Sequence, residues 1–151
     1  MQSLLVTAGR QSITTRIQSL SPKDTRRWGK MQVEEMICHL TDSFRLAIDD
    51  TEVRLATGPL RRSIVKWLAF HAPMKWPKGV PTRPEIEQGK GGTPPSDFEE
   101  DRAKLLESID QFCATPPGAE CPHPIFGVLT REEWMRWGWL HADHHLRQFG
   151  R

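Results

Sequence analysis

Hydrophobic residues recur along most of this chain at intervals of three and four, the spacing that marks one face of an α-helix. The clearest run predicts a helix of about four to five turns, with apolar residues at Val33, Met36, Ile37, Leu40, Phe44, Ala47 and Ile48. Shorter runs predict a helix through Ile13 and Leu20, which Pro22 ends, and one from Leu60 to His71. Strand signals are weak, and only Leu4-Leu5-Val6 could form a short extended arm.

Two further segments carry signals for the start of a helix. Ser96-Asp97-Phe98-Glu99 fits a capping box and opens a periodic stretch that reaches Phe112. Thr130-Arg131-Glu132-Glu133 is a second such box, and its helix runs to Phe149 with Gly150 as a C-cap. Four substantial helices and a short inserted one predict an all-α fold, a four-helix bundle with a long crossover, as one domain over residues 1–151.

The crossover itself is expected to be irregular. Ala72–Pro95 holds six of the twelve prolines, which cannot continue a helix or sit in a central strand. Prolines also stiffen a loop by limiting the unfolded chain. We expect this loop to form a lid or rim over a cavity walled by Trp134, Phe44 or nearby core residues; the alternative is that it only bridges two distant helices.

Composition and charge narrow the class of protein. A formal charge of +2 over 151 residues is too small to argue for nucleic acid. No apolar run approaches the roughly 18 residues that a membrane span needs, and the first ten residues lack the pattern of a signal peptide. Cys38, Cys113 and Cys121 are too far apart for a C-x-x-C pair. We therefore expect a cytoplasmic protein with reduced thiols and with no nucleic acid or membrane as partner.

The chemistry concentrates on the last predicted helix. His141 and His145 stand four residues apart and point the same way from its buried face, whereas Asp143 and Arg147 fall on the opposite, solvent face. A single H-x-x-x-H often arises by chance, and a buried histidine is more often a core residue with ordinary hydrogen bonds. His39, on the flank of the second helix, offers a third imidazole. Three ligands with an open fourth position are typical of catalytic zinc.

Several short blocks together resemble the DinB/YfiT-like metalloenzymes, and in particular a branch known only as a domain of unknown function. The blocks span residues 28–150 and read Trp28-Gly29-Lys30-Met31, Cys38-His39-Leu40-Thr41-Asp42-Ser43, His123-Pro124-Ile125-Phe126-Gly127, Glu133-Trp134 and Asp143-His144-His145-Leu146-Arg147-Gln148-Phe149-Gly150. The resemblance implies a four-helix bundle whose metal ligands are His39, His141 and His145. Gln32 departs from it, because relatives often have a threonine there that could cap the second helix.

Three neighbouring residues are candidates for orienting these ligands. Asp42 could accept the free ring N–H of His39, although a solvated carboxylate is the simpler interpretation. His144 is either a support for the site or a packing residue between helices. Gln148 could orient a ligand or a metal-bound water, or it could equally bond a backbone carbonyl.

The resulting prediction is a metal-dependent enzyme whose substrate and catalytic residues are unassigned. Zinc or nickel is favoured, with iron or manganese as alternatives. The resemblance implies a thiol-dependent S-transferase or a hydrolase acting on a small molecule or a thiol. The alternative is a non-catalytic, metal-stabilised bundle that binds a small ligand or a protein partner; a homodimer stays open.

Overall fold

The computed structural model describes residues 1–49, 59–71, 75–80, 82–118 and 121–151, and in this part of the chain every long element is a helix. The α-helices are α1 (Thr7–Gln18), α2 (Val33–Asp49), α3 (Pro59–His71), α4 (Phe98–Ala114) and α5 (Arg131–Gln148), with a 3₁₀ turn at Pro84–Ile86. No strand occurs among the described residues, so the all-α expectation is confirmed. α2 packs on α4, α1 packs on α4 and α5, and α2 meets α5, which is the pairing expected of a four-helix bundle.

An aromatic cluster forms the centre of the core. Phe44 of α2 meets Phe112 of α4 edge to face, with 5.1 Å between ring centroids, and Trp134 of α5 lies 6.2 Å from Phe112. A Cβ at Gly138 would lie within 3.1 Å of the Phe44 and Phe112 rings, so the small residue allows α5 to approach this cluster closely. Such aromatic pairs add to the stabilisation that burial of their surface gives.

The predicted extended arm at the N-terminus is a turn. The backbone N–H of Val6 donates to the Ser3 carbonyl oxygen at 3.3 Å, and Leu4 is fully buried. The Leu4 N–H donates to the Met135 carbonyl oxygen at 3.1 Å, which fastens the segment to α5. The segment is therefore held on α5 by the buried Leu4 side chain and one backbone hydrogen bond, and not by strand pairing.

The two predicted helix caps have different outcomes. The capping box of α5 is confirmed: the Thr130 hydroxyl accepts from the Glu133 N–H, and the Glu133 carboxylate accepts from the Thr130 N–H. At α4 the predicted box is wrong, because Asp97 is the N-cap and its carboxylate accepts from the backbone N–H groups of the second and third helical residues. Ser96 instead donates its N–H and hydroxyl to Asp101, at 2.8 and 3.0 Å.

The start of α2 is held although Gln32 cannot act as a threonine cap. The Glu35 carboxylate accepts the backbone N–H of Gln32 at 2.7 Å, which is one half of a capping box. Met36 donates its N–H to the Gln32 carbonyl oxygen at 3.0 Å. The departure from the family pattern at this position therefore leaves the helix end hydrogen-bonded.

The face of α5 opposite the histidines packs against α1, although we predicted that it would face solvent. Asp143 accepts from Arg16 of α1 at 2.9 Å and from Arg147 at 2.8 Å. An ion pair that is mostly withdrawn from solvent can link two helices that a sequence pattern does not pair. We expect a contribution of about 1 kcal/mol or less.

The crossover segment folds back on itself where it is described. Gly91 donates its N–H to the Pro84 carbonyl oxygen at 3.0 Å, and Gly92 donates to that of Glu87 at 3.1 Å. Pro73 and Pro81, two of the six prolines expected to stiffen the segment, lie outside the described residues. No helix among the described residues is long and apolar enough to cross a membrane.

Candidate metal centre

Three histidines from two helices converge at the contact between α2 and α5. His39 comes from α2, and His141 and His145 come from successive turns of α5. One ring nitrogen from each can be chosen so that all three lie within 4.8 Å of one another. The Nε2 atoms of His141 and His145 are 3.1 Å apart. Two ligands of one tetrahedral zinc stand about 3.3 Å apart at the usual Zn–N bond length, so this group could hold a divalent metal ion.

A backbone carbonyl fixes the proton of His39. The Nδ1 atom lies 3.1 Å from the Ile86 carbonyl oxygen, in the 3₁₀ turn of the crossover segment. A carbonyl oxygen can only accept, so Nδ1 must carry the hydrogen and Nε2 keeps its lone pair. The neutral tautomer of this histidine therefore offers Nε2 to a metal.

The Gln148 side chain fixes the proton of His145 in the same way. Its Oε1 atom lies 2.7 Å from His145 Nδ1, one turn further along α5. The Gln148 backbone carbonyl accepts from the Arg27 N–H at 2.6 Å, and a Cβ built on Gly29 would stand 2.7 Å from Gln148 Nε2. The loop before α2 therefore packs against the Gln148 amide. The amide in turn orients the His145 imidazole.

The electrostatics favour uncharged imidazoles. Burial lowers the pKa of His39, and it lowers the pKa of His141 and of His145 well below the ordinary 6.5, with the neighbouring histidines adding to the shift. At neutral pH all three side chains are therefore neutral. Neutral imidazole is the form that binds metal, so a metal ion would not have to displace protons from the folded site.

His141 is the least satisfied member of the group. Its Nδ1 atom is buried and has no hydrogen-bond partner in the described structure. The ring lies between Trp137, with centroids 5.0 Å apart, and Trp76, with centroids 6.3 Å apart. Buried polar atoms without partners are costly and rare, and they are expected where function demands them.

Asp42 does not accept from His39, which was the less favoured of the two interpretations of this residue. Its carboxylate accepts from the backbone N–H of Thr93 at 2.8 Å and from the Thr93 hydroxyl at 2.7 Å. It thereby ties to α2 the loop that carries Ile86. The Ile86 carbonyl was missed because a backbone acceptor in a proline-rich loop leaves no mark on the sequence.

His144 lies beside the three histidines and packs against the loop before α2. Its ring is 4.8 Å from that of Trp28, edge to face, and 5.2 Å from that of His145. Burial lowers the pKa of His144 to about 4, and the nearby Arg147 guanidinium contributes to the shift. His144 therefore packs against a loop and not between helices, and its Nδ1 atom is buried with no partner among the described residues.

The walls around the histidines differ in part from those predicted, because the core residue Trp137 is one of them but Trp134 and Phe44 are not. Trp134 and Phe44 belong to the aromatic core around Phe112, whereas the rings next to the histidines are those of Trp28, Trp76 and Trp137. The crossover segment does approach the site, through Trp76 and the Ile86 carbonyl. An open groove of about 250 Å³ lies on the other side of that segment and is lined by Asp42, Arg45, Leu46, Asp49, Glu85, Ile86, Gly91 and Thr93.

Comparison with known proteins gives one match. The family model described as "Protein of unknown function (DUF1569)" matches residues 1–151. No curated protein and no solved structure matches the chain.

Replacement of Gln148 tests whether the side chain orients His145. In Gln148→Met the volume is kept but the acceptor is lost, so we expect the metal affinity to fall about tenfold to a hundredfold. Gln148→Glu keeps an acceptor oxygen and should retain the affinity. Competition with a chromophoric chelator measures both variants, and equal affinities for Met and Glu would contradict the assigned role.

A pair of glycine substitutions tests the loop before α2. Gly29 has φ +86° and Gly79 has φ +75°, so alanine at either position costs about 1–2 kcal/mol in backbone strain. A Cβ at Gly29 meets the Gln148 amide, whereas nothing lies within 4 Å of a Cβ at Gly79. We therefore expect both variants to lose stability, and only Gly29→Ala to lose metal affinity. Equal metal affinities in a chelator competition would show that the loop does not act on the site.

Proposed function

We propose that this chain, which belongs to the DUF1569 family, is a metal-dependent enzyme that binds one divalent ion through His39, His141 and His145. Zinc or nickel is the favoured metal, and iron or manganese is the alternative, because imidazole ligands suit the later first-row ions. We further propose a transferase that acts on a low-molecular-weight thiol, with hydrolysis as the second candidate reaction.

One observation carries this proposal: three neutral imidazoles from two helices meet, and two of them have Nδ1 bonded so that Nε2 is left with its lone pair. Ile86 fixes His39 and Gln148 fixes His145, at 3.1 and 2.7 Å. Without an ion, the Nε2 atoms of His141 and His145, 3.1 Å apart, can share one hydrogen, whereas a metal ion would engage one nitrogen of each of the three histidines. Second hydrogen bonds of this kind are usual for histidine ligands.

The ligand count supports catalysis over a purely structural metal. The candidate group consists of three histidines within the described residues, and a zinc ion of structural type takes four protein ligands. When bound, the ion would supply Lewis acidity, which lowers the pKa of a thiol or water in the open position.

The surroundings favour thiol transfer over hydrolysis. Asp42, the nearest candidate for a general base, is already engaged by Thr93. A thiol that is held as thiolate is a nucleophile without further help, whereas hydrolysis usually recruits a general base. Burial lowers the pKa of His144 to about 4, so this side chain is a weak proton acceptor at pH 7 and does not supply the missing general base.

The superfamily, the cellular location and the partners of this chain are part of the same proposal. The ligand positions on α2 and α5 agree with the DinB/YfiT-like arrangement, which supports membership of that superfamily and a four-helix bundle formed as one domain. Cys38, Cys113 and Cys121 are buried and form no disulfide among the described residues, which agrees with a reducing, cytoplasmic location. A small-molecule partner, no nucleic acid partner and a homodimer remain predictions.

Metal content tests the site directly. Protein made without a histidine tag should contain close to one equivalent of a first-row metal per chain. His141→Ala should lose most of it, and the variant with alanine at positions 39, 141 and 145 should lose all of it. Elemental analysis after gel filtration gives the number, and unchanged metal in the triple variant would overturn the proposal.

The metal-free protein should stay helical at pH 7.5, because the aromatic core does not include the three histidines. Its stability should fall below pH 6.5: the folded state keeps His141 and His145 neutral, whereas the unfolded chain takes up protons there. Each such histidine costs up to about 1.4 kcal/mol per pH unit.

Circular dichroism and urea unfolding of chelator-treated protein at pH 7.5 and 5.5 check this expectation. The triple alanine variant is the control and should show a smaller loss between the two pH values. Helix content that collapsed on chelation would mark the metal as structural and would contradict an open catalytic site.

A further inference from the structure

We infer that the open side of the three-histidine site accepts a substrate with an anionic group, which Lys78 holds while the rest of the molecule lies against Trp28 and Trp76. This inference rests on the proposed metal site and specifies the class of substrate. It depends on three features of the described residues: the arrangement of the aromatic rings, an unpaired lysine, and a buried ring nitrogen without a partner.

Two tryptophans from different loops border the site. The Trp28 ring contacts His144 with 4.8 Å between centroids. The Trp76 ring lies 6.4 Å from that of His144 and 6.3 Å from that of His141. Both tryptophans are only half-buried. Large, partly exposed aromatic faces next to polar chemistry are typical of small-molecule sites, where they contact the apolar part of a ligand.

Lys78 places a positive charge at this edge. Its Nζ atom lies over the Trp28 ring, 5.1 Å from the centroid, so a cation–π contact positions the ammonium group. Three lysines of the described residues form ion pairs, Lys66 with Glu133, Lys90 with Glu87 and Lys104 with Asp101, whereas Lys23, Lys30 and Lys75 form none there. Lys78 forms none there, and a ring face does not neutralise its charge.

His144 adds an unsatisfied polar atom between the two tryptophans. Its ring contacts both Trp28 and Trp76, and its Nδ1 atom is buried with no partner among the described residues. A polar group of a bound molecule would satisfy this nitrogen. A bound divalent ion and the Lys78 ammonium would together make the local potential positive, whereas the charge of Arg147 is paired with Asp143.

The groove of about 250 Å³ that Ile86 and Thr93 help to line is negatively charged. Its lining includes the carboxylates of Asp42, Asp49 and Glu85, with Arg45 as the cation. An anion is therefore repelled on that side and attracted on the Trp28–Lys78 side. The charge distribution selects one approach to the histidines for a negatively charged molecule.

Cobalt-loaded protein provides the test, because thiolate binding to cobalt gives a charge-transfer absorption band that can be titrated. The probes are two matched pairs: mercaptopropionate with mercaptopropanol, and mercaptohexanoate with mercaptohexanol. At low ionic strength we expect the better-fitting acid to bind about two- to fivefold more tightly than its alcohol, the size of one exposed ion pair. The preference should shrink as salt is added.

Variants assign the preference to one residue. Lys78→Gln should abolish the difference between acid and alcohol while leaving the affinity for the alcohol unchanged. Lys75→Gln is the matched control, since Lys75 is an exposed lysine of the same segment, and it should keep the wild-type preference.

The outcomes separate the two proposals. Failure to bind one equivalent of cobalt would overturn the metal site itself. Stoichiometric cobalt with no preference for either acid, with no thiol binding at all, or with the same preference in wild type and Lys78→Gln, would overturn the anionic-substrate inference and leave the metal site standing.

Discussion

The need to satisfy buried imidazoles is the constraint on which the rest of this structure depends. His141 and His145 occupy positions on α5 that an ordinary helix bundle would fill with leucine or isoleucine, and His39 meets them from α2. Each imidazole has two nitrogens, and a buried nitrogen needs a partner. Because the helices supply few polar groups at their contact, the partners come from the end of α5 and from a loop: the Gln148 amide and the Ile86 carbonyl.

These partners explain why the irregular segments lie where they do. The loop before α2 is fastened by the hydrogen bond from Arg27 to Gln148, and the loop after α3 is fastened by the two hydrogen bonds from Thr93 to Asp42. Both attachments are made to residues close to the ligands in sequence. The loops are therefore anchored to the histidine site, whereas the cluster of Phe44 and Phe112 holds the helices together. This division lets the site be polar and partly open without weakening the core.

The sequence pattern predicted the helices well because their signal is local. The period of apolar residues depends only on the geometry of one helix, and the box at Thr130 depends on four adjacent residues, so both could be recognised. The convergence of His39 with the pair on α5 was suggested by its place on the flank of the second helix and by the family resemblance, because no local rule pairs two helices. The cap at Asp97 was misplaced by one residue, because Ser96 and Asp97 are both good cap residues and only the packing of Ser96 on Asp101 decides between them.

The surroundings of the site were the least predictable, because they are made by contacts between segments distant in sequence. The walls were assigned to Trp134 and Phe44 on the strength of their positions on helix faces, yet Trp28 and Trp76 reach the site from loops whose course no periodic pattern encodes. His39 and His145 have their tautomers set by the protein, but His141 has no partner at Nδ1. His39 and His145 are held in orientation, whereas the His141 ring is less constrained. The three rings can therefore adjust around an ion by movement of His141, on the side where Trp76 lies. The proposed substrate would enter on that side, where the half-buried rings of Trp28 and Trp76 border the histidines.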